Sequence, residues 1–258
     1  MTQGNLIERA VVIVLAQVSM IGLVNAQPTA ADGRVALRLE AGPTWQTRNK
    51  VQIPNDQNGT RFSLEEPAGS GPWAGIRLTA LWDIDERHGV RLVLAPLSYD
   101  ERGTLDADVA FADENFTAGS DLEASYTFNS WRIGYRYRFY DQGPWDLWVG
   151  ATAKVRDAEI RLEQGDTVGQ DDDVGFVPLL YLAARYRFND RWSFAADFDG
   201  LAGGPGRALD LGLRLNYHVD DRLAVGAGYR GLEGGADTDD VYNFAWFNAV
   251  VLSAGYRF

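Results

Sequence analysis

The sequence predicts an all-β chain, an antiparallel up-and-down transmembrane β-barrel of ten strands. Three observations carry that expectation. Apolar and polar residues alternate with a period of two over long stretches. Each unbroken apolar face runs for about nine to eleven residues, the length a tilted strand needs to cross a bilayer and longer than the usual soluble strand. Aromatic residues gather where these stretches end, beside short turns. The chain has 258 residues, 28 of them glycine.

The alternation is clearest in 208–219, ALDLGLRLNYHV. Leu209, Leu211, Leu213, Leu215, Tyr217 and Val219 fall on one face, and Ala208, Asp210, Gly212, Arg214, Asn216 and His218 on the other. Side chains of a strand point to opposite faces in turn, so one face is apolar and the other polar or small. The same pattern recurs in 76–84, 131–139 and 145–155. A soluble sandwich also alternates, but face length and the aromatic ends favour a barrel in lipid. Trp82, Phe139, Trp145, Phe188, Trp192, Tyr217 and Tyr256 mark those ends.

Strands are expected at 35–46, 73–85, 90–99, 122–140, 145–163, 176–188, 191–202, 207–219, 222–232 and 244–258. Eight strands is the alternative, if 90–99 with Pro96 is not a strand. Short connections (Glu86–Gly89, Asp141–Pro144, Asn189-Asp190, Asp220-Asp221) alternate with mostly longer ones at 47–72, 100–121, 164–175, 203–206 and 233–243. Residues 47–66, with an Asn58-Gly59 turn, are expected to extend the first hairpin. The apolar phase switches near Asn129-Ser130 and near Asp157, which reads as bulges or as strands leaving the bilayer.

Ahead of the strands, 10–24 (AVVIVLAQVSMIGLV) is the longest apolar stretch, preceded by Arg9 and followed by Val24-Asn25-Ala26. That reads as an export signal cleaved after Ala26. It leaves 27–34 as a short segment before a barrel of 35–258.

Composition excludes several function classes. Without cysteine there is no disulfide framework, thiolate metal site or cysteine nucleophile, and two histidines cannot build a His-rich metal site. A net charge of −12 argues against nucleic acid, which rewards a basic face. No cofactor motif and no metal site is expected.

The chain ends Ala254-Gly255-Tyr256-Arg257-Phe258. Together with the export signal and amphipathic strands, this ending resembles the bacterial outer-membrane β-barrel proteins, nearest the small OmpA-type and OmpX-type and ten-stranded barrels. The resemblance implies the outer membrane of a Gram-negative bacterium, with short turns in the periplasm. It also implies contact with outer-membrane lipid and lipopolysaccharide, and an assembly signal in Tyr256 and Phe258 read by the outer-membrane assembly machinery. It carries over no functional residue.

With apolar residues toward lipid, the inward basic residues are Arg38, Arg77, Arg91, Arg132, Arg136, Arg138, Lys154, Arg156, Arg185, Arg187, Arg214, Arg230 and Arg257. The inward acids are Glu40, Asp83, Asp146, Asp197, Asp199 and Asp210. Two readings stay open. One is an interlocked Arg–carboxylate plug, because buried charge is costly unless paired. The other is a narrow anion-preferring channel, with room left by Gly134, Gly150, Gly212 and Gly226. Arg138, Arg187, His218 and Arg257 occupy the middle of repeated aromatic-x-apolar strand endings. They are expected to form a basic ring at the periplasmic mouth, or else to pair with acids such as Asp141, Asp190 and Asp220.

The outer loops are acidic: Asp106, Asp108, Asp113 and Glu114; Asp166, Asp171, Asp172 and Asp173; Glu233, Asp237, Asp239 and Asp240. They read as solvated loops, with Ca²⁺ or Mg²⁺ as the alternative occupant of such dense oxygen ligands. A catalyst is not expected. His88 and His218 fall at the periplasmic end, and no Gly-x-Ser-x-Gly elbow is present. The functions left are a non-catalytic barrel for envelope structure, adhesion or surface binding, and a small-solute channel.

Overall fold

An open sheet in lipid would leave a row of unpaired backbone groups at each edge, and only closure satisfies them. The computed structural model, which describes residues 34–204 and 206–258, closes the sheet on itself. The first strand, β1 (Val35–Gln52), pairs antiparallel with the last, β14 (Tyr242–Arg257), from Ala36↔Arg257 to Gln52↔Tyr242. The wall continues through β3 (Trp73–Asp83), β4 (His88–Ala95) with β5 (Ser98–Gly103), β8 (Leu122–Tyr140), β9 (Trp145–Gln164), β10 (Thr167–Arg187), β11 (Trp192–Gly203), β12 (Gly206–His218) and β13 (Leu223–Asp237). This is a closed antiparallel barrel of ten strands, and the eight-strand alternative falls. The expected export signal, its cleavage site and most of 27–34 lie outside the described residues.

The third wall position is a strand broken at Pro96, where a proline cannot donate to the ladder. Both pieces, β4 and β5, pair with β8. Asn129 spans the break: its Oδ1 accepts from the Leu97 N–H at 3.3 Å, and the Phe128 N–H donates to the Leu97 carbonyl at 2.8 Å.

Residues 164–175, expected as a loop, are strand for most of their length. β9 and β10 pair from Thr167↔Gln164 through Asp173↔Ala158, and the turn needs only Gly165, at φ 60°, with Asp166. The alternation signal fails there for a physical reason. Above the bilayer no lipid demands an apolar outer face, so strand and loop look alike in composition.

The phase switches are not bulges. The β8–β9 register runs unbroken from Glu123↔Glu163 to Arg138↔Trp148. Even-numbered residues of both strands face inward throughout; what changes is their chemistry. Ser130, Arg132 and Lys154 are buried below the switch, and Tyr126, Phe128, Ile160 and Leu162 above it. Outside, Ile133, Tyr135 and Val155 give way to Asn129, Asp157 and Glu159. The strands leave the bilayer, and the lumen becomes an apolar core.

That core is completed by the first two outer loops. β2 (Phe62–Ser63) pairs with Lys50 and Val51, so the first hairpin does extend. Asn58-Gly59 lies within the intervening loop, where Asp56 accepts the Asn58 N–H at 2.7 Å. A one-turn helix, α1 (Glu65–Ala68), and a small hairpin of β6 (Val109–Phe111) and β7 (Glu114–Phe116) fold over the mouth. Val51, Phe62, Leu64, Leu105, Phe111 and Phe116 are buried with Tyr126, Leu162 and Phe247.

At the other end the aromatic belt stands outward. Trp82, Phe139, Trp145, Phe188, Trp192 and Tyr256 are exposed, and edge-to-face pairs link Trp145–Tyr186, Trp192–Tyr217 and Tyr256–Phe258. Such rings, apolar in body and polar at one edge, suit a membrane–water boundary.

Candidate functional site

Strand parity sends ten charged side chains of seven strands into the middle of the lumen. Glu40 (β1), Asp197 and Asp199 (β11) and Asp210 (β12) are all buried. Glu40 meets Arg214 at 2.8 Å, Arg230 at 2.9 Å, Arg38 at 3.5 Å and Arg77 at 3.8 Å. Asp197 meets Arg214 at 2.6 Å and Arg230 at 3.3 Å. Asp210 meets Arg230 at 2.5 Å, Arg132 at 2.7 Å and Arg77 at 3.0 Å. Asp199 holds Arg91 at 2.5 Å and Arg132 at 2.9 Å, and accepts from the Thr152 hydroxyl at 2.7 Å. Six guanidinium groups are thus cross-linked by four carboxylates. Planar guanidinium carries several donors in a fork, so one arginine can bridge two acids. The space beside the lumen glycines is taken: a Cβ at Gly212 would lie 2.5 Å from the Arg230 guanidinium, and one at Gly134 2.9 Å from the Thr152 hydroxyl.

Lys154 is buried just above, its ammonium 4.6 Å from the centre of the Phe128 ring. Ring faces attract cations, most strongly where water is excluded.

Nearer the short turns the pairs loosen and open to solvent. Asp146 gathers Arg185 at 2.8 Å, Arg138 at 3.4 Å and Arg187 at 3.6 Å. Asp83 pairs with Arg136, and with Arg257 at 3.4 Å. Arg187, His218 and Arg257 line a vestibule of about 710 Å³ at this mouth. Of the acids expected beside them, Asp141 reaches Arg138 only at 3.9 Å. Asp220 is occupied by its own turn, accepting the N–H groups of Arg222 and Leu223 at 2.8 and 2.7 Å. Those two hydrogen bonds hold its carboxyl below the usual aspartate range. Asp85 does the same for Arg87 and His88, and is lowered by the same cause. An acid that starts a tight turn is satisfied locally, though Asp220 and Asp190 still line the vestibule.

Both histidines lie at this end. His88 Nδ1 is 2.5 Å from the Tyr135 hydroxyl. His218 Nε2 is 2.9 Å from Ser193 Oγ, a pairing that sequence reasoning missed. A serine nucleophile also needs its histidine oriented by a third group. Among the described residues no carboxylate meets the other nitrogen of His218, and Arg185 and Arg187 line the same vestibule.

At the outer end, Glu233 is a strand residue rather than a loop acid. It is buried on the outer face of β13 between Arg48 at 2.5 Å and Arg207 at 2.6 Å. Asp171 and Asp173, with Arg156, line a cleft of about 380 Å³ floored by Tyr126 and Phe128. Among the described residues no three acidic or histidine side chains are grouped to hold a metal ion. The buried polar cluster of Gln46, Asn49 and Tyr99, linked by hydrogen bonds of 2.9–3.4 Å, carried no signal in the sequence because a bulge brings it together. Tyr256 and Phe258 stand on the outward face, away from the lumen.

The barrel is similar to solved outer-membrane proteins. Against the outer membrane protease OmpT from Escherichia coli the TM-score is 0.55 at 9% identity, covering 92% of this chain and 99% of that one. Against Ail, the attachment invasion locus protein of Yersinia pestis, it is 0.38 at 12% identity, covering 87% and 99%. Against Neisserial surface protein A it is 0.36 at 16% identity, covering 88% and 98%. At these identities the likeness concerns fold alone, and the class-level resemblance to outer-membrane β-barrels holds. No protein-family model and no curated protein matches the chain.

Proposed function

We propose that the chain is a non-catalytic outer-membrane barrel, closed to solutes, that serves envelope structure, adhesion or surface binding. The observation that carries this reading is the network of six arginines, five of them buried, and four buried carboxylates across the lumen. Cross-linked in this way, the side chains leave little space in a barrel of this strand number, whose interior side chains can nearly fill. The apolar core above the network supports the same reading, since an ion would have to shed its water to pass it. Single-channel recording of the refolded protein in planar bilayers tests it. The expected result is no discrete conductance; steady unitary currents would overturn it.

An anion-preferring channel is the second reading. What favours it is the excess of inward basic residues and the arginine-lined vestibule. Its signature is a reversal potential set by anions that shifts toward cations in Arg138→Gln/Arg187→Gln, because fixed positive charge selects anions.

A further inference from the structure

The cleft at the outer mouth holds a buried hydroxyl that the fold leaves unsatisfied, beside a carboxylate without an ion-pair partner among the described residues. Tyr126 is 1% exposed, and its hydroxyl has no hydrogen-bond partner among the described residues. Both it and Asp171 line the same cavity of about 380 Å³. Asp171 has no ion-pair partner among the described residues, and burial, then the neighbouring Asp172 charge, raise its pKa. A buried hydroxyl without a partner costs free energy, and so does a half-buried carboxylate. The cleft's one guanidinium, Arg156, pairs with Asp173; its charge reaches Tyr126 and Asp171, but it makes neither a hydrogen bond to the hydroxyl nor an ion pair with the carboxylate. Five acids line or rim the cleft, and Phe128, Ile160 and Val241 supply its apolar surface. A volume of this size suits a small ligand.

We propose that this cleft binds a small organic cation, an ammonium or amidinium group on an apolar body. The charged head donates to the Asp171 carboxylate and to the Tyr126 hydroxyl oxygen, and the body lies against Phe128 and Ile160. A bare divalent cation fits less well, because no three acids converge and the apolar floor offers it nothing.

The proposal rests on the surface-binding part of the function proposed above, and goes further in naming a ligand class. Isothermal titration calorimetry on the barrel refolded in detergent tests it, with 2-phenylethylamine, its uncharged isostere 2-phenylethanol, and calcium chloride alone. The expected result is saturable one-site binding of the amine and binding of the alcohol about tenfold weaker. Asp171→Asn should weaken the amine about tenfold and Tyr126→Phe about threefold. Each variant must keep the heat-dependent gel mobility of the folded barrel; Tyr126→Phe, which removes a single oxygen, keeps the test decisive if Asp171→Asn does not fold. Equal binding of amine and alcohol would overturn the proposal. So would amine binding unchanged in a folded variant, or calcium binding without amine binding. Conductance recordings separate the two readings: a silent barrel that ignores amines loses the cleft alone, and a conducting barrel that binds them loses the closed lumen alone.

Discussion

Asp210 is the sharpest point at which to disturb the lumen. Its two oxygens meet Arg230 at 2.5 Å, Arg132 at 2.7 Å and Arg77 at 3.0 Å, and all four side chains are buried. Asp210→Asn keeps the shape and removes the charge, leaving three guanidinium groups to Glu40, Asp197 and Asp199. Removing one partner of a buried ion pair costs about 3–5 kcal/mol, because the other charge is stranded. Adding Arg132→Met should recover part of that loss by removing one stranded charge. The exposed pair Arg102–Glu123 is the internal control: Glu123→Gln should cost less than about 1 kcal/mol, since water already screens it. Urea unfolding of vesicle-embedded protein, followed by tryptophan fluorescence, measures the three variants against the wild type. The reasoning is refuted if Asp210→Asn costs no more than Glu123→Gln, or if the double variant is less stable than Asp210→Asn.

Leu211 faces outward and Asn216 lines the vestibule at the short-turn end, so Leu211→Arg should lower folding stability by about 2–4 kcal/mol and Asn216→Arg by much less in the same assay. Phe111→Ala, at a fully buried site over the outer mouth, should cost about 3–5 kcal/mol and expose the loops to protease. Asp85 and Asp220 carry depressed pKa values; a group lowered in the folded state stabilises above its unfolded value, near 3.8, and ceases to do so as pH falls through the folded one. The stability gap between wild type and Asp85→Ala should therefore be constant at neutral pH and narrow below about pH 4. A gap that widens in acid would contradict the turn geometry.

Period-two alternation was enough to find the ten wall positions, because lipid enforces an apolar outer face wherever a strand crosses it. Leu209 to Leu215 needed no further information. Where that enforcement ends, legibility ends too: Asp171 to Asp173 are strand residues that read as a loop. Parity also assigned Arg132, Asp199 and Asp210 to the lumen, but not their partners, since pairing depends on height and on which strands face each other across the barrel. The apolar core above the network was hidden because its parts come from residues far apart, such as Val51, Phe111, Tyr126 and Phe247. Asp220 lines the vestibule, but the backbone of its own turn competes for its carboxylate, which strand parity does not reveal.

The bulge of β1 bears on how this wall tolerates a change in length. Gln46 sits opposite Phe247 and Arg48 opposite Trp246, so Thr47 is the surplus residue. Gln46 below it and Asn49 above it are both buried. Deleting Thr47 would leave an ordinary strand with every later side chain on its present face. Deleting Ala41 instead would turn Gly42, Thr44 and Gln46 outward, and carry Trp45 toward charged company. In a wall read by odd and even, a single codon lost is normally an inversion of inside and outside. At Thr47 it is a shortening, which makes this position the place in β1 where the gene can lose a residue and keep the barrel.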